Sequence, residues 1–251
     1  MRIALGGILH NRWTVPAYLD AMAALDTHGH TVQWIWAIDG AWQPGDLGLT
    51  NERFPHLAVV NLDCTLPHYC REPGEESHLH RVYSRLALLR NMLSEAALAL
   101  DCEALFSVDS DILPPPETLR LLAGAGKPWI SAVVPNSVTD KNCWNVFHLR
   151  DVETQGGLLQ HFRAMGNGAR GKVWPAMQAW DYDPRDENEV QDLATGAVCF
   201  YWRGLLEAAR WRADLRGRQE DIGFAVDAYH AGYRAAYMPI RCRHLTVEGQ
   251  G

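Results

Sequence analysis

A short apolar run, Ala104–Val108, empties into Asp109-Ser110-Asp111, and Pro114, Pro115 and Pro116 then stop any extension. Four to eight apolar residues bounded by breakers predict a buried strand. Residues two apart on a strand share a side. Asp109 and Asp111 are therefore expected to set two carboxylates together where the strand leaves its sheet. Such charges repel unless a cation or a donor network separates them. Hard oxygen ligands of this sort suit Mg2+ or Mn2+. The plainer alternative is an acidic turn in which Asp111 caps the next helix.

The chain around this stretch alternates strands and helices. Arg2–Leu9 predicts a first strand, buried because it is almost continuously apolar or small. His10, Asn11 and Arg12 follow at its carboxyl end, and a helix is expected from Val15 to Thr27. Thr31–Ile38 is a second strand finishing in Asp39, and Leu57–Leu62 a third finishing in Asp63. This alternation predicts an α/β domain with a mainly parallel sheet between helices. Ligands of such sheets bind beyond the carboxyl ends of the strands, where Asn11, Arg12, Asp39, Asp109 and Asp111 all fall.

A long amphipathic helix is expected over Leu79–Leu100, carrying Arg81, Arg85 and Arg90, followed by Asn91. A solvent face accounts for most of these arginines. Arg85 is the one singled out for pairing with a phosphate or with the metal site. Residues 136–190 are irregular and rich in aromatics, among them Trp144, Phe147, Trp174 and Trp180. Tryptophan faces can stack on sugar rings, and Trp144 and Trp180 are weak candidates for an acceptor; core packing is the alternative. A strand over Leu193–Trp202 opens with Thr195-Gly196, where backbone can closely approach a ligand. Glu220 and Asp221 begin a helix that Gly232 ends. Helix capping explains one of these acids, and the pair also offers a general base.

Composition limits the partners. With 251 residues, 47% of them hydrophobic, the chain can bury a large core as one domain. A formal net charge of −7 argues against a nucleic-acid partner or an anionic membrane surface. No apolar run reaches the length of a transmembrane segment. The six cysteines show no metal or disulfide spacing, which predicts reduced thiols and a cytoplasmic location. His68, Cys70, His78 and His80 match no usual zinc pattern.

The order of these features resembles the nucleotide-sugar-dependent glycosyltransferases of the GT-A fold, particularly the family-two type. It includes HNRW after the first strand, Asp39 after the second, Arg90-Asn91 before the Asp-x-Asp of Asp109 and Asp111, and Thr195-Gly196-Ala197. Glu220-Asp221 then leads to Ala231-Gly232-Tyr233, with His244 near the end. The resemblance implies a Rossmann-like GT-A domain. Residues 1–135 would bind a nucleotide-diphosphate sugar donor, and 136–251 would hold the acceptor and the catalytic acids. It implies that Asp39 faces the nucleobase and Asp109 the ribose or the metal-bound diphosphate. Ser110, between the two aspartates, joins Asn11, Arg12 and Arg85 among the donor-site candidates. Asp111 and His244, with Asp109, would hold Mn2+ or Mg2+. Thr195 and Gly196 would border the donor sugar. Asp221, or else Glu220, would deprotonate the acceptor hydroxyl and give inversion. The polar run usual after the second strand is here Asp39-Gly40-Ala41-Trp42. A retaining transferase, a nucleotidyltransferase on a similar sheet and a non-catalytic sugar- or nucleotide-binding domain are the alternatives. Against the nucleotidyltransferase, no Gly-rich phosphate loop with a following Lys lies near the N-terminus.

Overall fold

A computed structural model describes residues 1–40, 42–62, 76–134, 146–147, 193–194, 196–212 and 220–245. The elements, in chain order, begin with β1 (Arg2–Leu9), α1 (Val15–Ala23), β2 (Thr31–Asp39), β3 (Ala58–Leu62), α2 (Glu76–Ala99) and β4 (Ala104–Val108). They continue with β5 (Ile112–Leu113), α3 (Thr118–Gly124), β6 (Trp129–Val133), β7 (Val146–Phe147), β8 (Leu193–Ala194) and β9 (Val198–Trp202). The last are α4 (Arg203–Ala208), α5 (Glu220–His230), β10 (Ala236–Arg241) and β11 (Arg243–His244).

Seven strands form one sheet in the order β10-β6-β9-β4-β1-β2-β3. The pairs β1–β2, β2–β3, β1–β4 and β6–β10 are parallel, whereas β9 runs antiparallel to both β4 and β6. The chain winds outward from β1 through β2 to β3. Through α2 it then crosses back to β4 on the other side of β1. Strand order reverses at β1/β4, the place where open α/β sheets bind their ligands. The expected mainly parallel α/β sheet is present, with β9 as its antiparallel member.

Both faces of the sheet are covered, which is why β1 and β2 read as nearly unbroken apolar runs. Ile3, Leu5 and Leu9, with Trp34, Trp36 and Ile38, pack with Tyr18, Leu19 and Met22 of α1 and with α3 residues Leu119 and Leu122. On the other face, Ala4, Ile8, Ile35 and Ala37 belong to the core of α2 residues Leu89 and Leu93 and α5 residue Phe224. The strand period of two thus divides each strand between two cores.

Element boundaries moved for local reasons. Helix α1 stops at Ala23, not Thr27, because the Asp26 N–H leaves for the Pro116 carbonyl at 2.7 Å. The strand expected over Leu193–Trp202 is split: β8 pairs with β7, and only β9 enters the large sheet. Strand β10 begins at Ala236, since Gly232, at φ +87°, turns the chain out of α5 and Tyr233 N–H caps the Ala228 carbonyl.

Gly7 has a steric task. The Tyr18 hydroxyl donates to the Val108 carbonyl at 3.1 Å, fixing the end of β4 just before Asp109. A Cβ on Gly7 would run into that carbonyl and lie 2.8 Å from the Tyr18 hydroxyl oxygen. Gly7→Ala is expected to cost roughly 1–3 kcal/mol, as overpacking of a closed core does. Urea unfolding checks this, and an unchanged midpoint contradicts it.

Candidate active site

The site begins where β4 ends. Strand geometry stops at Val108, so Asp109 and Asp111 lie on a turn rather than at alternate strand positions. The Asp109 N–H donates to the Ala197 carbonyl at 2.8 Å, and its own carbonyl accepts the Ile112 N–H at 2.9 Å. Ser110, between them, is fully buried, with Oγ 3.2 Å from His10 Nδ1 at the end of β1. The middle of the turn is thus held beneath, and the two aspartates take separate partners.

Asp111 meets the end of the chain. Strand β11 pairs antiparallel with β5, opposing His244 to Ile112. This places His244 Nε2 3.2 Å from Asp111 Oδ2, and the Leu245 N–H donates to the Asp111 carbonyl at 2.8 Å. Burial would raise the Asp111 carboxyl, but the hydrogen bond and charge of His244, with His10 beyond, outweigh it. The net shift is downward, so Asp111 stays ionised.

Asp109 meets Arg90 of α2. Arg90 Nη2 lies 3.0 Å from Asp109 Oδ1 and 3.3 Å from Oδ2. Its Nε donates to Glu220 Oε1 at 3.1 Å, and its Nη1 to the Gly196 carbonyl at 3.2 Å. The guanidinium carbon stands 5.0 Å from the Trp211 ring centroid, a cation–π contact. Burial pulls the Arg90 pKa down, and Asp109 and Glu220 more than reverse this, so the group remains a cation. Burial raises Asp109, Arg90 pulls against it, and the charge of Asp111 adds to the rise.

The solvent-face expectation fails for Arg90, and Arg85, singled out for pairing, is buried as well. Arg85 is 5% exposed and Arg90 6%. Arg85 directs Nε and Nη2 onto Asp39 Oδ1 at the end of β2. The missed signal was helical spacing. Arg85 and Arg90 fall on the stripe that Val82, Leu89, Leu93 and Ala97 mark as buried, so neither could face water.

Glu220 and Asp221 open α5, and both are buried. Glu220 is tied to Arg90. Asp221 Oδ1 meets no hydrogen-bond donor among the described residues. Burial first, then the neighbouring Glu220 charge, push the Asp221 carboxyl up to about 7, against Arg90 and the backbone N–H groups of Asp221 and Gly196. Glu220 is raised by burial despite Arg90.

The other candidates fall in several places. The Asn11 carbonyl accepts the Thr14 hydroxyl at 2.9 Å and closes the turn between β1 and α1. Arg12 is exposed, its guanidinium carbon 5.6 Å from the centroid of the Trp42 ring. Gly196 gives its carbonyl to Arg90, so the close approach anticipated there is made by this arginine. Thr195, Trp144, Trp180, Asp63, His68 and Cys70 lie outside the described residues, as do the side chains of His78 and His80. Among the described residues, no three His, Cys, Asp or Glu side chains close a metal site by themselves. Asp111 and His244 are adjacent, and Asp109 is on the same turn. Carboxylate oxygens of this kind fit Mg2+ or Mn2+, ions that leave coordination positions for phosphate oxygens and water.

No family model and no curated protein matches the chain. Several solved structures do. S. aureus TarS 1–349 has a TM-score of 0.53 at 14% identity, over 99% of this chain and 61% of that one. The same protein in complex with UDP-GlcNAc matches at 0.53 and 15%, over 97% of this chain and 58% of that one. The mannosyltransferase PcManGT from Pyrobaculum calidifontis, in complex with GDP-Man and Mn2+, matches at 0.51 and 15%, over 97% and 56%. The chain therefore has the fold of the GT-A glycosyltransferases. It spans less than two thirds of the length of each of these structures.

The raised Asp221 carboxyl has a consequence for stability. Unfolded aspartate titrates near ~3.9, and folded Asp221 near about 7. The folded chain holds this proton more tightly, so the group's stabilising contribution is full below about pH 4 and is lost as pH rises through about 7. Asp221→Asn removes the loss. Its melting temperature is expected to exceed the wild type's near pH ~8, with the gap closing toward about pH 4. Calorimetry at both pH values checks this, and a gap independent of pH contradicts it.

Proposed function

We propose that this chain is a metal-dependent glycosyltransferase that moves a sugar from a nucleotide-diphosphate donor to an acceptor hydroxyl with inversion. One observation carries the proposal. At the β1/β4 switch point, the Asp109–Asp111 turn is joined through Arg90 to a helix start bearing Asp221, whose carboxylate keeps an oxygen with no partner among the described residues and a pKa pushed up to about 7.

The donor diphosphate would lie over the Asp109–Asp111 turn, and Asp111, His244 and Asp109 would hold the Mn2+ or Mg2+. That ion, when bound, neutralises charge on the leaving diphosphate as a Lewis acid. The nucleobase would meet the edge made by Asn11, Arg12 and the Asp39–Arg85 pair. Asp221 is favoured over Glu220 as base because Glu220 is already committed to Arg90. The acceptor oxygen attacks the anomeric carbon as Asp221 takes its proton. The carbon–oxygen bond to the diphosphate breaks, and the nucleoside diphosphate leaves with the electron pair. In this proposal residues 1–135 bind the donor, Thr195 and Gly196 border its sugar, and 136–251 supply the base and the acceptor site, for which Trp144 and Trp180 are the candidates.

That a mannosyltransferase of this fold was solved with GDP-Man and Mn2+, and TarS with UDP-GlcNAc, supports the donor class. No described helix is long and apolar enough to cross a membrane. The buried free thiols of Cys102 and Cys242 support a cytoplasmic location.

Release of nucleoside diphosphate from a panel of UDP- and GDP-sugars with Mn2+ tests the proposal. Asp221→Asn is expected to lower kcat about 10²–10⁴-fold, the range of a lost general base, with donor KM little changed. Full turnover in this variant contradicts the assignment. In the wild type, kcat should rise with pH and level off above about 7, as Asp221 loses its proton. A rate flat across that range removes Asp221 as the base.

A further inference from the structure

Three segments of the site converge on Arg90. One arm holds Asp109 on the donor turn, one holds Glu220 beside Asp221, and a third holds the Gly196 carbonyl. Behind the guanidinium stands Trp211, whose backbone is fixed on both polar atoms by Asn91. Asn91 Nδ2 donates to the Trp211 carbonyl at 2.7 Å, and Asn91 Oδ1 accepts the Trp211 N–H at 3.0 Å. The Trp211 ring also stacks on Phe224 of α5, centroids 4.1 Å apart. Helix α2 therefore grips α5 twice, through Arg90–Glu220 and through Asn91–Trp211–Phe224.

Burying a cation with two carboxylates is a poor route to stability, because desolvation offsets much of the attraction. What such a cluster supplies well is a fixed geometry. We infer that Arg90 is a positioning residue for glycosyl transfer: through Glu220 it sets Asp221 at a defined distance from the Asp109–Asp111 turn. The inference rests on the transferase reading above. Gly196 belongs to the same device, since a Cβ there would lie 2.5 to 2.7 Å from the Arg90 guanidinium atoms. Alanine at 196 displaces the guanidinium while removing no charge and no hydrogen-bonding group.

The test is a set of mutant cycles on donor turnover, with donor KM measured alongside. Arg90→Lys keeps the charge and loses the three-armed geometry. It is expected to lower kcat about 100-fold, as misplacement of a reacting group by roughly 1 Å does. Donor KM should stay within roughly threefold, because the lost interaction acts on the transition state. Gly196→Ala is expected to lower kcat in the same way, but to add nothing in the Arg90→Lys background, where no guanidinium is left to displace. Glu220→Gln should likewise add nothing to Arg90→Lys. Losses that multiply in the double variants, or a raised KM with kcat intact, overturn the inference. If Arg90→Lys does not fold, the Gly196→Ala and Glu220→Gln cycle decides the matter by the same criterion. A wild type that binds nucleotide and Mn2+ without turning over any donor contradicts the transferase reading, and Arg90's role with it. Turnover with multiplying losses contradicts Arg90's role alone.

Discussion

A buried arginine needs carboxylates around it, and that requirement organises this molecule's site. Arg90 enters the core on α2, and Asp109 and Glu220 reach it from positions 19 and 130 residues away in the chain. Glu220 could not be buried this deeply without a cation, and the cation could not be buried without Glu220 and the half-buried Asp109. The Asp109–Asp111 turn, the glycine before β9 and the start of α5 are thereby tied to one planar group. The fork geometry of guanidinium is suited to this, since it can direct N–H groups at several acceptors in fixed directions.

The sheet decides where that cluster stands. Reversal of strand order between β1 and β4 opens a crevice at their carboxyl ends. Three devices then build the edge. Tyr18 holds the last carbonyl of β4, the Ala197 carbonyl just before β9 accepts the Asp109 N–H, and the β5–β11 ladder brings His244 to Asp111. Each device fixes backbone rather than chemistry. The acids are left to be tuned by their surroundings: Asp111 is lowered beside His244, while Asp221 is raised by burial and by Glu220. Carboxylates whose surroundings push their pKa values apart can take opposed tasks, and the proposal above gives these two such tasks.

Much of this was legible in the sequence because it depends on period and punctuation. The apolar runs of β1, β2 and β4, with Asp39 and Asp109 closing the last two, marked the sheet and its edge, and the ordered motifs pointed to the GT-A fold. What local pattern could not show was pairing across distance. Strand period puts Asp109 and Asp111 together on one side; the turn instead gives one to α2 and the other to β11. Arg90 reads as a solvent-facing charge until the helical stripe of Val82, Leu89 and Leu93 is drawn through it and Arg85. Gly196 suggested an approaching ligand, and the group that approaches is the protein's own Arg90.

The most direct test of the site is Mn2+ binding followed by electron paramagnetic resonance, with UDP or GDP present and absent. The wild type should take up a single Mn2+ whose affinity rises with one of the nucleotides. Asp111→Asn and His244→Ala should each weaken that uptake by about tenfold or more, as loss of a ligand or its partner does. Uptake that ignores the nucleotide, or that survives both substitutions unchanged, would contradict a metal–diphosphate site at the β1/β4 edge.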